Sequence, residues 1–243
     1  MAEKTSISWT DHTFNVAHGC TKVSPGCQHC YAETLALSYG NNVWGPSAPR
    51  RTFGAGYWAE PLKWNAKAAK EGRRHRVFCG SMCDVFEDHA TIDAEREKLW
   101  PLILATPWLD YQLLTKRAER IEECLPPDWG TGYPNVWLGT SIENDEYAWR
   151  AEELFRLPAA VRFVSYEPAL GPLDLRPWLR DISWVIVGGE SGPNFRQMDL
   201  QWARDMRDRC REAGVAFFFK QSAGRFSGRG TTLDGETIQE FPK

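Results

Sequence analysis

Three of the chain's seven cysteines fall within eleven residues, in Gly19-Cys20-Thr21-Lys22-Val23-Ser24-Pro25-Gly26-Cys27-Gln28-His29-Cys30-Tyr31. The spacing is C-x6-C-x2-C, and Pro25-Gly26 supplies a turn that lets the segment curl back. Three thiolates can then point at one centre. Soft sulfur ligands of this kind bind zinc or an iron–sulfur cluster. A structural zinc site wants a fourth protein ligand, which His18, His29, Cys79 or Cys83 could give. A [4Fe-4S] cluster on three cysteines instead leaves one iron open to a small molecule. No obvious fourth ligand stands in the same loop, which favours the cluster.

Other chemistry-bearing residues recur at one kind of place. Short β-branched or aromatic runs predict strands at Thr13–His18, Arg76–Ser81, Asp110–Thr115, Asn135–Thr140, Val161–Ser165, Ser183–Gly188 and Val215–Lys220. Directly after them come Gly19-Cys20, then Gly80-Ser81-Met82-Cys83-Asp84, then Lys116-Arg117. Ser141-Ile142-Glu143, Tyr166-Glu167, Gly188-Gly189-Glu190 and Lys220-Gln221 follow the later four. In parallel β/α folds the loops after the strands converge, so these side chains are expected around one mouth.

The elements that must position them read as alternating strand and helix. Runs such as Trp184-Val185-Ile186-Val187 and Ala216-Phe217-Phe218-Phe219 are apolar on both faces, as strands buried under helices are. Helical stripes are predicted at Ala32, Leu35 and Tyr39 with Gly40 as the stop, and at Ala118, Ile121 and Leu125. Two more fall at Tyr147, Ala151, Leu154 and Phe155, and at Trp202, Met206 and Cys210, the last capped by Asp199 and closed by Gly214. Pro101 predicts a helix that is kinked or starts late. The expected fold is α/β, a partial parallel (β/α) barrel of six to seven strands with right-handed crossovers. One domain over residues 1–243 is expected. It carries a Gly-, Pro- and Trp-rich insertion at about 41–72 and an irregular tail at about 224–243, with a short hairpin at Asp234-Gly235.

Composition narrows the class. Apolar residues make up 42% of the 243, enough for a core, and no run approaches the ~20 residues that span a bilayer. The start lacks a secretory pattern, so a cytoplasmic protein with reduced thiols and no membrane partner is expected. The net charge of −3 gives no global pull on nucleic acid, although Arg73-Arg74-His75-Arg76, Lys116-Arg117 with Arg120, and Arg225–Arg229 are basic locally. Twelve tryptophans suit helix–barrel packing, and several could stack flat ligands.

A three-cysteine loop after the first strand of a parallel barrel, closed by C-x2-C and a helix led by an aromatic, resembles the radical S-adenosylmethionine (SAM) superfamily. The wording GC…GCxxCYAE, preceded by SWTDHTFN, is similar to an uncharacterised phage-associated family with a three-Cys motif, whose nearest characterised relatives are of the spore photoproduct lyase type. That likeness extends through FCGSMCDVFED, LLTKR, WLGTSIEN, SYEPALGPL and VIVGGESG. The superfamily's common spacing is C-x3-C-x2-C, so this loop is three residues longer, and His29 stands where an aromatic usually packs on adenine. The resemblance implies that Cys20, Cys27 and Cys30 bind a [4Fe-4S] cluster whose fourth iron is chelated by SAM. It implies that Ser81 and Asp84, in the element after the second strand, lie at the SAM amino group, and that Ser141 and Glu143 meet the ribose. His29, Glu167, Gly188, Gly189 and Glu190 would line the adenine or the substrate, and Lys116 and Lys220 would meet a carboxylate or phosphate. Cys79 and Cys83 would be a hydrogen-atom donor, a second metal site or buried thiols. The implied reaction is reductive cleavage of SAM to a 5′-deoxyadenosyl radical that abstracts hydrogen from a substrate, with a nucleic-acid base or nucleotide as substrate. An external electron donor of flavodoxin or ferredoxin type would drive it. The alternative is a zinc-stabilised, non-catalytic protein that binds nucleic acid or a partner.

Overall fold

The computed structural model describes residues 3–242. Seven strands form one sheet in the order of the sequence, β1 (His12–Phe14), β2 (His75–Cys79), β3 (Leu109–Thr115), β4 (Val136–Ser141), β5 (Val161–Tyr166), β6 (Trp184–Gly188) and β7 (Ala216–Gln221). β1–β2–β3 and β5–β6–β7 pair in parallel. A doubly wound sheet reverses its order at a switch point; this one never does, which is the winding of a partial (β/α) barrel. The α/β expectation holds.

Packing divides the chain into two compact units. The first holds residues 1–22, 32–137 and 158–160, with β1 to β3 and the helices between them. Those helices are α1 (Tyr31–Ser38, its first residue in the second unit), α2 (Ala55–Trp58), α3 (Glu60–Glu71), α4 (Ala90–Ala105) and α5 (Ile121–Cys124). Val77, Leu109, Tyr111 and Leu113 of the strands are buried, as are Trp64 and Ala68 of α3 and Ile92, Leu99 and Ile103 of α4. The second unit holds residues 23–31, 138–157 and 161–243, with β5 to β7, α6 (Trp149–Phe155) and α7 (Leu200–Ala213). Its core joins Val164, Tyr166, Val185 and Val187 to Met206, Cys210, Phe217 and Phe219.

Four expectations change. The first strand stops at Phe14, because the Asn15 N–H and carbonyl both bond the Tyr57 hydroxyl at 2.9 Å instead of a neighbouring strand. The segment at 41–72 is no mere insertion: α3 is its second half and a full crossover helix, with Pro61 in its first turn and Gly72 closing it. Helix α4 starts at Ala90, well before Pro101, so it does not start late; Pro101 lies inside it on the exposed face, where water can satisfy the carbonyl that proline leaves unpaired. Helix α1 buries Ala32 and Ala36, while Leu35 and Tyr39 are 42% and 75% exposed.

The tryptophans mostly pack. Trp64 stacks on His12, Trp100 meets Trp129 and Tyr133, and Trp184 meets Phe163, Phe218 and Phe241. Asp234 and Gly235 form the expected tight turn, with positive φ at both and Leu233 bridging Glu236. Asp199 caps α7 by accepting from the Gln201 N–H at 2.8 Å. Its replacement by Ala should cost about 1 kcal/mol in urea unfolding, and replacement by Asn much less; equal losses would show that the cap contributes nothing.

Candidate functional site

In the first unit the chain beyond β1 continues as isolated bridges, Gly19 to Cys83 and Cys20 to Trp44, which carry Cys20 to the carboxyl end of β2. A buried ion network lies beside it. Arg117, from the end of β3, places Nη1 3.7 Å from the Cys20 sulfur and 2.8 Å from Asp84 Oδ2, and donates from Nη2 to the Thr21 carbonyl at 2.7 Å. Arg50 binds both oxygens of Glu87 at 2.9 and 2.8 Å and donates to Thr21 Oγ1 at 2.9 Å. The side chains of Arg50, Glu87, Arg117 and Asp84 are all nearly inaccessible. Asp84 also accepts from Thr115 Oγ1 at 2.7 Å and from the Phe86 N–H at 3.0 Å, so its oxygens are engaged inside the chain. Burial holds the Cys20 thiol well above its usual range; nearby Asp84 adds to this and Arg117 opposes it.

Ser81 is held by a residue that sequence reading missed. Asn15, completely buried, donates to Ser81 Oγ at 3.0 Å and accepts from the Met82 N–H at 2.7 Å. Cys79 and Cys83 are buried thiols, and burial pushes Cys83 up to about 12 and Cys79 well above its usual value.

The second unit holds Cys27 and Cys30 on a loop fixed at several points. Pro25–Cys27 forms a single 3-10 turn. Ser24 Oγ donates to Glu143 Oε1 at 2.5 Å, and Arg150 Nη1 meets Glu143 Oε2 at 2.9 Å and the Ser141 carbonyl at 2.8 Å. Gly26 lies flat on this carboxylate: a Cβ there would stand 2.3 Å from Glu143 Oε1. Glu190, at the end of β6, meets His29 Nδ1 at 3.0 Å and accepts from Arg196 N and Nε at 2.8 and 3.0 Å. Arg196 also donates to the Pro25 carbonyl at 2.9 Å and to Gln28 Oε1 at 3.3 Å. Burial would raise the Glu190 carboxyl, but the bonds from Arg196 and His29 outweigh it and hold the group below the usual carboxylate range. Lys220 pairs with Glu167, and Gly188 leaves room for that carboxylate, since a Cβ there would lie 3.1 Å from Glu167 Cδ. Gly189 packs on the chain at Ala223.

The predicted residues thus fall into two groups. Glu143 and Glu190 brace the cysteine loop and Asp84 braces the arginine beside Cys20, whereas Ser81, Ser141, Lys116, Glu167 and Lys220 sit at strand ends as expected. Sequence reading missed Arg50, Glu87, Arg117, Arg150 and Arg196. The one signal was the pair Lys116-Arg117, of which it chose the first as a site residue. Among the described residues no three His, Cys, Asp or Glu side chains converge as a single-ion site. Thiolates on a cluster bind separate irons, so they need not meet at one point. The donor chemistry fits a cluster: Cys20, Cys27 and Cys30 are half-buried, and the other four thiols are buried.

The basic clusters also separate. Arg73 and Arg76 pair with Asp11, Arg74 with Asp110 and His75 with Glu71, while Arg120 meets Asp88 and Glu123. The loop at 225–229 differs: Arg225, Phe226 and Arg229 are all exposed, with Phe226 at 68%. Its base is fixed by buried Gln221, which accepts from the Gly228 N–H at 2.8 Å, and by the Gly224 N–H, which donates to the Glu190 carbonyl at 3.0 Å.

A family model described as "Protein of unknown function (DUF5131)" matches residues 4–242. No curated protein matches the sequence significantly. Among solved structures, a cysteine-to-serine mutant of spore photoproduct lyase is similar at 13% identity and a TM-score of 0.54, over 88% of this chain and 78% of that one. Spore photoproduct lyase complexed with dinucleoside spore photoproduct gives 14% and 0.52, over 84% and 75%. A mutant of it with bound AdoMet and the same dinucleoside gives 14% and 0.50, over 82% and 61%. At these identities the likeness is one of fold, a partial (β/α) barrel.

Replacing Glu143 by Ala removes the carboxylate that pairs with buried Arg150 and frees Ser24. The expected cost is about 3–5 kcal/mol in chemical denaturation, with faster reaction of Cys27 and Cys30 toward a thiol reagent. Unchanged stability together with unchanged thiol reactivity would show that Glu143 does not brace the loop.

Proposed function

We propose that this chain, which belongs to the DUF5131 family of proteins of unknown function, is a radical SAM enzyme whose Cys20, Cys27 and Cys30 hold a [4Fe-4S] cluster. The supporting observation is the bracing of the cysteine segments. Glu143, Arg150, Glu190 and Arg196 fix the loop of Cys27 and Cys30, and Arg117 and Arg50 fix the chain at Cys20. A chain spends this much buried charge on half-exposed thiols when their positions matter. The barrel shared with the spore photoproduct lyase structures, one of which binds AdoMet, supports the same reading.

When bound, such a cluster supplies the electron that cleaves SAM to methionine and a 5′-deoxyadenosyl radical. The chain's own part is to bind and orient. Ser81 and Ser141 are offered to the amino group and the ribose of SAM, and Lys116, Lys220 and Glu167 to the carboxylate or to an anionic substrate. Gly188 keeps the backbone low beside Glu167 and Gly189 keeps it close to Ala223, and the His29 ring, fixed by Glu190, lies next to Cys30 in sequence for contact with the adenine. Asp84, Glu143 and Glu190 act as positioning residues rather than ligand contacts. The electron comes from an external donor of flavodoxin or ferredoxin type in the cytoplasm, where thiols stay reduced. No helix among the described residues is long and apolar enough to cross a membrane.

The substrate in this reading is a base in nucleic acid. The exposed Arg225-Phe226 tip with Arg229 supports it, since no acidic residue lies between Lys220 and Asp234 and an aromatic flanked by guanidinium groups suits an unstacked base and its phosphates.

Incubation with SAM and a strong reductant should yield methionine and 5′-deoxyadenosine, and Cys27→Ala should abolish the yield. A reconstituted, iron-loaded protein that leaves SAM intact would overturn the enzymatic reading. Phe226→Ala should weaken single-stranded oligonucleotide binding by about 1–3 kcal/mol for a stacked base, and Arg225→Glu should weaken it further and flatten its salt dependence. Wild-type protein that binds no oligonucleotide would remove nucleic acid as the substrate.

A further inference from the structure

Arg117, at the end of β3, is aimed at the sulfur of Cys20, the first cysteine of the three-cysteine segment. Its Nη1 lies 3.7 Å from Cys20 Sγ, within the range of an N–H···S hydrogen bond, and 2.8 Å from Asp84 Oδ2. Its Nη2 donates to the carbonyl of the next residue, Thr21, at 2.7 Å and stands 3.5 Å from Glu87 Oε1. One planar guanidinium thus holds a thiol, the main chain beside it and two buried carboxylates at once. A lysine ammonium, a single point on a flexible stem, cannot span that set. Arg120, three residues on, meets Asp88, Glu123 and the thiol of Cys124, which lies outside the three-cysteine segment, and so serves as the control arginine.

We infer that Arg117 is a positioning residue for the metal centre, which fixes Cys20 and, through its hydrogen bond to that sulfur, raises the reduction potential of the cluster. This rests on the reading that Cys20 is a cluster ligand. Arg50, Arg117, Asp84 and Glu87 form a neutral set of two cations and two anions, packed out of water. A bound thiolate adds negative charge, and reduction of the centre adds one electron more. The guanidinium N–H then makes a charge-assisted bond to sulfur and favours the reduced state, since hydrogen bonds to cluster sulfurs and local charge set its potential. Without Arg117, Asp84 and Glu87 face the centre with Arg50 as their remaining partner in this set, and the added electron is opposed.

The test uses full-length protein reconstituted anaerobically with iron and sulfide, in wild-type, Arg117→Lys, Arg117→Gln and Arg120→Gln forms. Iron per chain is measured first, then a redox titration followed by electron paramagnetic resonance. Arg117→Lys keeps a charge in place and is the variant that decides if Arg117→Gln fails to fold. Both Arg117 variants should titrate at more negative potential than wild type, with the reduced fraction at a fixed ambient potential falling by roughly threefold or more. Arg120→Gln should titrate as wild type. Arg117→Lys that holds wild-type iron at wild-type potential overturns the inference and leaves the cluster reading intact. Wild-type protein that takes up no iron overturns the cluster reading itself, and this inference with it.

Discussion

Glu143 is completely buried, and an ionised carboxylate there costs several kcal/mol unless partners replace the water it lost. Arg150 supplies the counter-charge and Ser24 one more hydrogen bond, so moving Ser24 away costs the buried carboxylate a hydrogen-bond donor. The same constraint recurs at Glu190, which needs Arg196 and His29, and at Asp84 and Glu87, which need Arg117 and Arg50. In every case the compensation runs through a residue within four positions of a cysteine or through an arginine that touches such a residue. The cysteine segments are therefore tied down by hydrogen bonds to buried charged groups. Loosening them takes hydrogen bonds away from buried charged groups, and that penalty gives a segment with little core of its own a fixed geometry.

On the proposed reading, such bracing answers a problem particular to thiols that bind a metal. A cysteine buried in apolar surroundings is inert, as Cys79, Cys83 and Cys210 are here, each pushed to high pKa by burial. A cysteine free on the surface is reactive but not positioned. Cys20, Cys27 and Cys30 are half-buried and backed by polar bonds to their neighbours, which combines access with fixed placement. The short turn at Pro25-Gly26 has the same purpose, since only glycine at 26 can lie against the Glu143 carboxylate.

Much of the fold was legible because its strands are written in continuous apolar runs. Trp184–Gly188 and Ala216–Gln221 differ from the expected bounds by a residue. Helix α3 was hidden because the Gly, Pro and Trp of 41–58 masked the Ala- and Lys-rich helix behind them. Pro101 lies inside α4 rather than before its start, because proline on an exposed face leaves a carbonyl that water can reach. The site was legible in its cysteines and acids and illegible in its arginines. Nothing in Lys116-Arg117 says which side chain turns inward, and nothing in Arg73-Arg74-His75-Arg76 says that Asp11 and Asp110 are waiting for it. Those partners are distant in sequence and near only once the strands have paired.

The claim on which the account turns is that the three cysteines hold iron and sulfide. The direct measurement is iron, sulfide and zinc per chain after anaerobic purification, with an absorbance spectrum. The account predicts a brown protein with a broad band near ~400 nm, and loss of both the band and the iron when Cys27 and Cys30 are replaced by Ala. A colourless protein that carries one zinc per chain and takes up no iron on reconstitution would contradict it.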